Sequence, residues 1–307
     1  MRKPRALRHG DRIAIVAPAS PFRREDFDAG VAELRAIGFE PVYDDRVFER
    51  RAYLAGPEAV RAAAWRDAWR APAVSALVAA RGGYGSVQVL PLLDIAEAQE
   101  TPKVFVGYSD TTSLLVWLTL HCGIVSFHGP MIEGRFARGA EGYDSALFAR
   151  VVCEAKAAGE ITSPGLEALR PGEARGMLVG GTLTQLVSSL GTPYAFTPPA
   201  GHILFLDEVG ERPFRIDRML TQLRLSGVLA RASAIVFNEL PRCVEPEGSP
   251  EARAVVADLL ADFPGPVLFG LPSGHTDRPM LTLPFGVTAR VVGGAVPALV
   301  IEEAAVS

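Results

Sequence analysis

Ser109 stands in "VGYSDTT", residues 106–112, where the apolar run "KVFVG" gives way to the helical pattern "SLLVWLTLH". A serine at such a strand-to-helix turn can attack a carbonyl carbon, provided that a base takes its proton and a third group orients the base. Gly107-Tyr108-Ser109-Asp110-Thr111 resembles the G-x-S-x-G nucleophile turn, with threonine in place of the last glycine. The competing reading is structural: Ser109, Asp110 or Thr111 caps the helix that follows.

The base must come from five histidines. His9 lies in a basic N-terminal arm, His121 falls in the last turn of a helix where a cation suits the dipole, and His202 opens a strand; each has a structural explanation. His128, in "SFHGP", ends a strand of the first half. His275, in "GLPSGHTDRPMLTLPFG", lies in a Gly- and Pro-bounded loop where an exposed histidine has little packing purpose. His275 is preferred, with His128 as its rival. For the orienting carboxylate, "HILFLDEVGERPFRIDRML" ends an apolar run in Asp207-Glu208, so strand alternation sends one acid to each face. The structural alternative for both is a solvated strand end or an ion pair with Arg212, Arg215 or Arg218. The turn "ARGGYGS" offers two chemistries. The N–H of Gly82 or Gly83 can approach an oxyanion closely, since no side chain intervenes. A dinucleotide pyrophosphate is the other, but Gly83-x-Gly85-x-x-Gln88 lacks the third glycine of G-x-G-x-x-G and follows a late strand.

These residues need elements to hold them. Ile13 to Ala17 reads as a first buried strand, followed by Phe27, Val31 and Leu34 on one helical face; "PVYDD", "VSALVAA", "KVFVG" and "GIVSFHGP" alternate with helical stretches, "SVQVLPLLDIAEA" among them. Such alternation implies a parallel sheet covered on both faces. From about residue 150 strands outnumber helices. The expectation is an α/β chain: an N-terminal Rossmann-like parallel-sheet domain over 1–155, a Gly- and Pro-rich linker over 156–172, and a β-rich, barrel-like domain over 173–307. The 307 residues are 49% hydrophobic and 21% charged with a net charge of -4, ordinary globular material with no electrostatic reason to bind nucleic acid. Cys122, Cys153 and Cys243 are too few and too scattered for a disulfide framework or a zinc knot, which fits a reducing cytoplasm. The N-terminal "MRKPRALRHGDRIAIVAPAS" imitates a secretory signal poorly, because Asp11 precedes the apolar run and Pro18 interrupts it. No run approaches the roughly 20 apolar residues of a membrane span.

Taken together, "GDRIAIVAPAS", "YLAGPEAVRAAAW", "ARGGYGS", "VGYSDTTSLL", "FHGP", "GMLVGGTLTQLVSSLGTP", "LFLDEVGERPFRIDRML" and "GLPSGHTDRPMLTLPFG" resemble the LD-carboxypeptidase family of serine peptidases, which includes murein tetrapeptide carboxypeptidases and microcin C self-immunity peptidases. The resemblance implies a serine-glutamate-histidine triad at Ser109, Glu208 and His275, with an oxyanion hole from the N–H groups of Asp110 and of Gly83 or Gly82. It implies no cofactor or metal, a murein tetrapeptide substrate losing its terminal D-alanine in cytoplasmic cell-wall recycling, and a homodimer. An immunity-type peptidase acting on aminoacyl nucleotide analogues is the alternative within the family; a non-catalytic nucleotide-binding protein is the alternative outside it. Arg81, Arg215 and Arg218 are the candidates for a fork on the substrate carboxylate. Two positions depart from the family pattern, Thr182 in place of asparagine and Ala64 in place of aspartate.

Overall fold

Ile13 to Val16, Val74 to Ala79 and Val104 to Gly107 are apolar or small at nearly every position, so neither face of these segments tolerates water. In the computed structural model, which describes residues 1–246 and 248–307, they become β1 (Arg12–Val16), β3 (Val74–Ala79) and β4 (Val104–Gly107), with β2 (Glu40–Val42) and β5 (Ser126–His128) beside them. The connecting helices are α1 (Arg24–Ala36), α2 (Glu58–Arg70), α3 (Ile95–Glu100), α4 (Thr112–Val116), which widens into a further turn over Trp117–His121, and α5 (Ser145–Cys153). Helix α1 buries Phe27, Val31 and Leu34, the face read from their spacing. The stretch "SVQVLPLLDIAEA" is not one helix. Pro91 confines Ser86–Leu92 to a tight 3₁₀ segment, and Asp94 restarts the chain as α3 by accepting the N–H of Ala96 at 2.7 Å.

The second half contributes β6 (Ala157–Ile161), β7 (Glu167–Arg170), β8 (Gly172–Thr182), β9 (His202–Asp207), β10 (Ala232–Phe237), β11 (Val267–Phe269), β12 (Leu283–Phe285), β13 (Thr288–Gly293) and β14 (Ala298–Ala304). Its helices are α6 (Leu183–Ser189), α7 (Pro213–Leu225), α8 (Val228–Arg231) and α9 (Ala252–Leu259), and Pro213 takes the first helical position of α7, where its missing N–H costs nothing. The first sheet has the order β12-β5-β4-β3-β1-β2 and the second β6-β14-β13-β8-β9-β10-β11-β7. Within the first sheet β1 to β5 run parallel, while β12 returns from the second half and pairs antiparallel with β5, Leu283 opposite His128. The segment 156–172, expected as a linker, instead supplies β6 and β7, each hydrogen-bonded into the second sheet. That sheet curls, since a Cβ added at Gly293 of β13 would lie 2.9 Å from the Arg170 carbonyl of β7.

Strand β9 divides its side chains between two cores. Ile203 and Phe205 join the cluster shared with the first sheet, among them Phe105, Phe127 and Phe285, whereas Leu204 and Leu206 pack with Ile216, Leu220 and Leu223 of α7. Burying each such side chain contributes roughly 1.5–3 kcal/mol, so the faces of β9 cannot be exchanged by a register slip without losing both clusters. Position 207 therefore faces the first sheet and position 208 the opposite side. Among the described residues no helix is long and apolar enough to cross a membrane.

Candidate active site

Ser109 leaves β4 in a left-handed conformation, φ 62°, which an L-residue adopts only at a cost of about 1–2 kcal/mol. Its neighbours hold the turn. Thr111 Oγ1 donates to the Tyr108 carbonyl at 2.8 Å, and a Cβ at Gly107 would meet that hydroxyl at 2.4 Å, which is why glycine precedes the turn. The cap expected of this stretch is not made: Thr111 stands at the start of α4 with its hydroxyl on a carbonyl and on none of the helix N–H groups, and the Ser109 side chain is left half-buried. Asp110 locks the elbow to the glycine turn: its carboxylate accepts the Ser86 N–H at 2.8 Å and Gln185 Nε2 at 3.3 Å, and Ser86 Oγ donates to its carbonyl at 2.6 Å. Burial pushes the Asp110 carboxyl above its usual range, an effect the Ser86 N–H opposes. The glycine turn closes over Ser109, since a Cβ at Gly82 would stand 3.0 Å from Ser109 Oγ and 3.3 Å from the Asp110 nitrogen. Among the described residues, the N–H groups of Gly82, Gly83 and Asp110 have no acceptor in the protein. These are donors free to meet an oxyanion.

His275 sits on the loop between β11 and β12. Its Nδ1–H donates to Asp207 Oδ2 at 2.9 Å, and its backbone N–H to Asp207 Oδ1 at 2.8 Å. Asp207 is fully buried and accepts two further donors, Asn238 Nδ2 at 2.7 Å and Thr182 Oγ1 at 2.9 Å. Burial alone would raise the Asp207 carboxyl; the His275 ring and N–H outweigh it and hold the group below its ordinary value. For His275 burial works downward, and Asp207 outweighs it, leaving the imidazole above its ordinary value. With Nδ1 committed to Asp207, the neutral ring carries its lone pair on Nε2, as a general base requires.

The acid on the histidine is therefore Asp207, not Glu208 as expected. The reason is the alternation along β9: Glu208 points to the α6 side, where its carboxylate accepts Thr184 N–H at 2.9 Å, Thr184 Oγ1 at 2.6 Å and the Val209 N–H at 3.0 Å. It holds the start of α6, and burial pushes its carboxyl upward. Thr182, one of the two departures from the family pattern, donates its hydroxyl to Asp207. His128 is fully buried beneath the site, with Nδ1 3.1 Å from Ser273 Oγ and its pKa pushed down to about 4 by burial; it does not line the cavity. His202 is buried with Nδ1 on the Pro199 carbonyl, and His121 packs edge-on to Tyr194. Arg215 and Arg218 lie with Phe214 on α7, outside the residues lining the cavity, whereas Arg81 is among them. Sequence reasoning missed Arg135, buried at 5% exposure against Tyr108, and Asn238. Neither sits in a motif that signals chemistry.

A cavity of about 490 Å³ brings Ser109, His275, Gly82, Gly83 and Tyr108 to one surface, and Arg23, Asp26, Arg81 and Glu133 give it a charged lining of both signs. A polarisable hydroxyl, an oriented imidazole and unpaired N–H donors at one surface suit acyl transfer. Comparison with known proteins identifies the family. The LD-carboxypeptidase N-terminal domain matches residues 13–129 and the LD-carboxypeptidase C-terminal domain residues 175–291. The chain is 33% identical over 291 residues to the probable murein peptide carboxypeptidase of Bacillus subtilis, covering 94% of this chain and 90% of that one. It is 28% identical over 310 residues to the microcin C7 self-immunity protein MccF of Escherichia coli, covering 91% and 89%. The crystal structure of muramoyltetrapeptide carboxypeptidase from Oxalobacter formigenes superimposes with a TM-score of 0.83 at 31% identity, covering 95% of this chain and 99% of that one. With both family domains matched in order, the chain belongs to the LD-carboxypeptidase family.

Proposed function

We propose that this carboxypeptidase is of the serine type and releases the terminal D-alanine of murein tetrapeptides by cleaving an L,D peptide bond. The observation that carries the reading is the left-handed Ser109 in one cavity with a His275 whose Nδ1 is held by a buried carboxylate. His275 Nε2 takes the Ser109 proton, and Oγ attacks the carbonyl carbon. The oxyanion is met by the N–H of Asp110 and of Gly82 or Gly83. Asp207 stabilises the imidazolium, which then protonates the departing amine. Water activated by the same ring hydrolyses the acyl-enzyme and restores Ser109.

Among the three arginines considered for the terminal carboxylate, Arg81 is favoured because it lines the cavity. Its guanidinium is braced by Glu133 at 2.8 Å and by the Pro21 carbonyl at 2.8 Å, so it is oriented before substrate arrives. The names of the Bacillus and Oxalobacter relatives support the murein substrate. A cytoplasmic, homodimeric enzyme of cell-wall recycling is the setting that this reading implies. The test is product analysis with murein tetrapeptide, the corresponding pentapeptide and an aminoacyl sulfamoyl-adenosine, without added metal or nucleotide. D-alanine release from the tetrapeptide alone is expected; cleavage of only the adenosine compound would move the assignment to the immunity branch.

A further inference from the structure

A buried guanidinium normally finds a carboxylate, because an unpaired charge in the interior is costly. Arg135 does not. Among the described residues its contacts are all neutral oxygens: Nη2 donates to the Gly274 carbonyl at 2.8 Å and the Thr276 carbonyl at 2.9 Å, Nη1 to Gly142 at 3.3 Å and Arg278 at 3.5 Å, and Nε to Tyr108 Oη at 3.3 Å. Two of these carbonyls flank His275, and Tyr108 adjoins Ser109.

The peptide joining Gly274 to His275 explains the missing carboxylate. In a trans peptide the C=O and N–H point in opposite directions. Here the C=O ends on Arg135 and the N–H ends on Asp207, 2.8 Å away at each side. The peptide dipole lies between a fixed cation and a fixed anion, aligned with both. A Cβ at Gly274 would stand 2.4–2.6 Å from the Asp207 carboxylate, so the backbone is pressed directly onto that anion. We infer that Arg135 is a positioning residue for the hydrolysis, acting as the counter-ion of Asp207 through the 274–275 peptide and fixing His275 relative to the Ser109 elbow through Tyr108. The inference rests on the serine-type reading above.

The charge has its own signature. The charged groups acting on His275 are Asp207 in contact and Glu208 from the other side of β9, which favour its cation, and Arg135, which disfavours it; the Tyr108 ring stands at 5.1 Å, with His128 beneath. Removing the guanidinium charge therefore moves the acid limb of turnover to higher pH; hydration of the ring through loosened packing would move it the same way, so Arg135→Lys, which disturbs the packing but keeps the charge, separates the two. The experiment measures kcat and KM for D-alanine release across pH in the full chain for Arg135→Met and Arg135→Lys, beside Ser109→Ala and thermal unfolding. Arg135→Met should lose about 30- to 100-fold in kcat, the scale of a misplacement near 1 Å, with KM nearly unchanged and the acid limb shifted upward. Arg135→Lys keeps the charge but not the fork, so its acid limb should stay while kcat remains below wild type. Wild-type kcat in either variant, or an acid limb that does not move in Arg135→Met, overturns the inference. If Arg135→Met does not fold, Arg135→Lys decides on kcat. Turnover by Ser109→Ala would sink the serine-type reading itself, separately from Arg135.

Discussion

Replacing Asp207 by asparagine tests the acid assignment most sharply, because its neighbour Glu208 supplies an internal control. The Asp207 oxygens accept four donors, two from His275, one from Asn238 and one from Thr182, at 2.7–2.9 Å. An amide keeps one acceptor oxygen and turns an NH₂ toward the remaining donors, so the imidazole must reverse its tautomer or rotate. In serine-protease triads that substitution costs about 10⁴ in kcat, which at 1.36 kcal/mol per decade is roughly 5.5 kcal/mol of transition-state stabilisation. The acid limb should also move to lower pH, since the anion that raises His275 is gone. Glu208→Gln loses bonds at the start of α6 and keeps one acceptor for Thr184, a cost of about 1 kcal/mol in stability and little in turnover. The assay is kcat/KM for D-alanine release as a function of pH, with circular dichroism to confirm folding. Loss of turnover in Glu208→Gln with Asp207→Asn spared would refute the reasoning, and with it the facing of β9.

Gly82→Ala should lower kcat/KM by about a hundredfold or more with the fold retained, because the new methyl would stand 2.9 Å from Ser109 Cβ and 3.0 Å from its Oγ; near-normal kinetics would mean that the glycine turn moves freely away from the elbow. In the wild-type protein the acid limb of kcat/KM should lie above the ordinary histidine value of 6.5, since a protonated His275 cannot accept the Ser109 proton and Asp207 holds its pKa up; a midpoint below 6.5 would show that another group limits the rate.

The elements that carry the site were legible because their cause is local. Ile13 to Ala17 and "KVFVG" could hardly be anything but buried strands, and the serine between strand and helix marked the elbow. The Asp207-Glu208 pair shows where legibility ended. Alternation dictates that the two acids diverge, but which one meets the histidine depends on which core each face of β9 covers. That is set by the packing of the first sheet against Phe205, a hundred residues away in sequence from Phe105. Arg135 was silent for a similar reason: apart from the Tyr108 hydroxyl, its partners are backbone carbonyls, which every residue possesses. The "EAKAAGEITSPGLEALRPGEARG" stretch was misread because its strands lie at sheet margins, where charged and small residues are tolerated.

The antiparallel pairing of β12 with β5 gives the chain the character of a clasp. The loop bearing His275 leaves the second sheet at Phe269 and enters the first at Leu283, so both of its ends are anchored, one in each half of the molecule. Cutting the polypeptide between the halves would strip the first sheet of its border and leave the β5 backbone, with Phe127 beside it, as an open template for other chains. It would also separate the histidine from the serine. Catalytic competence in such an arrangement reports on closure of the whole chain: a truncated or half-folded copy has no partial activity to misdirect.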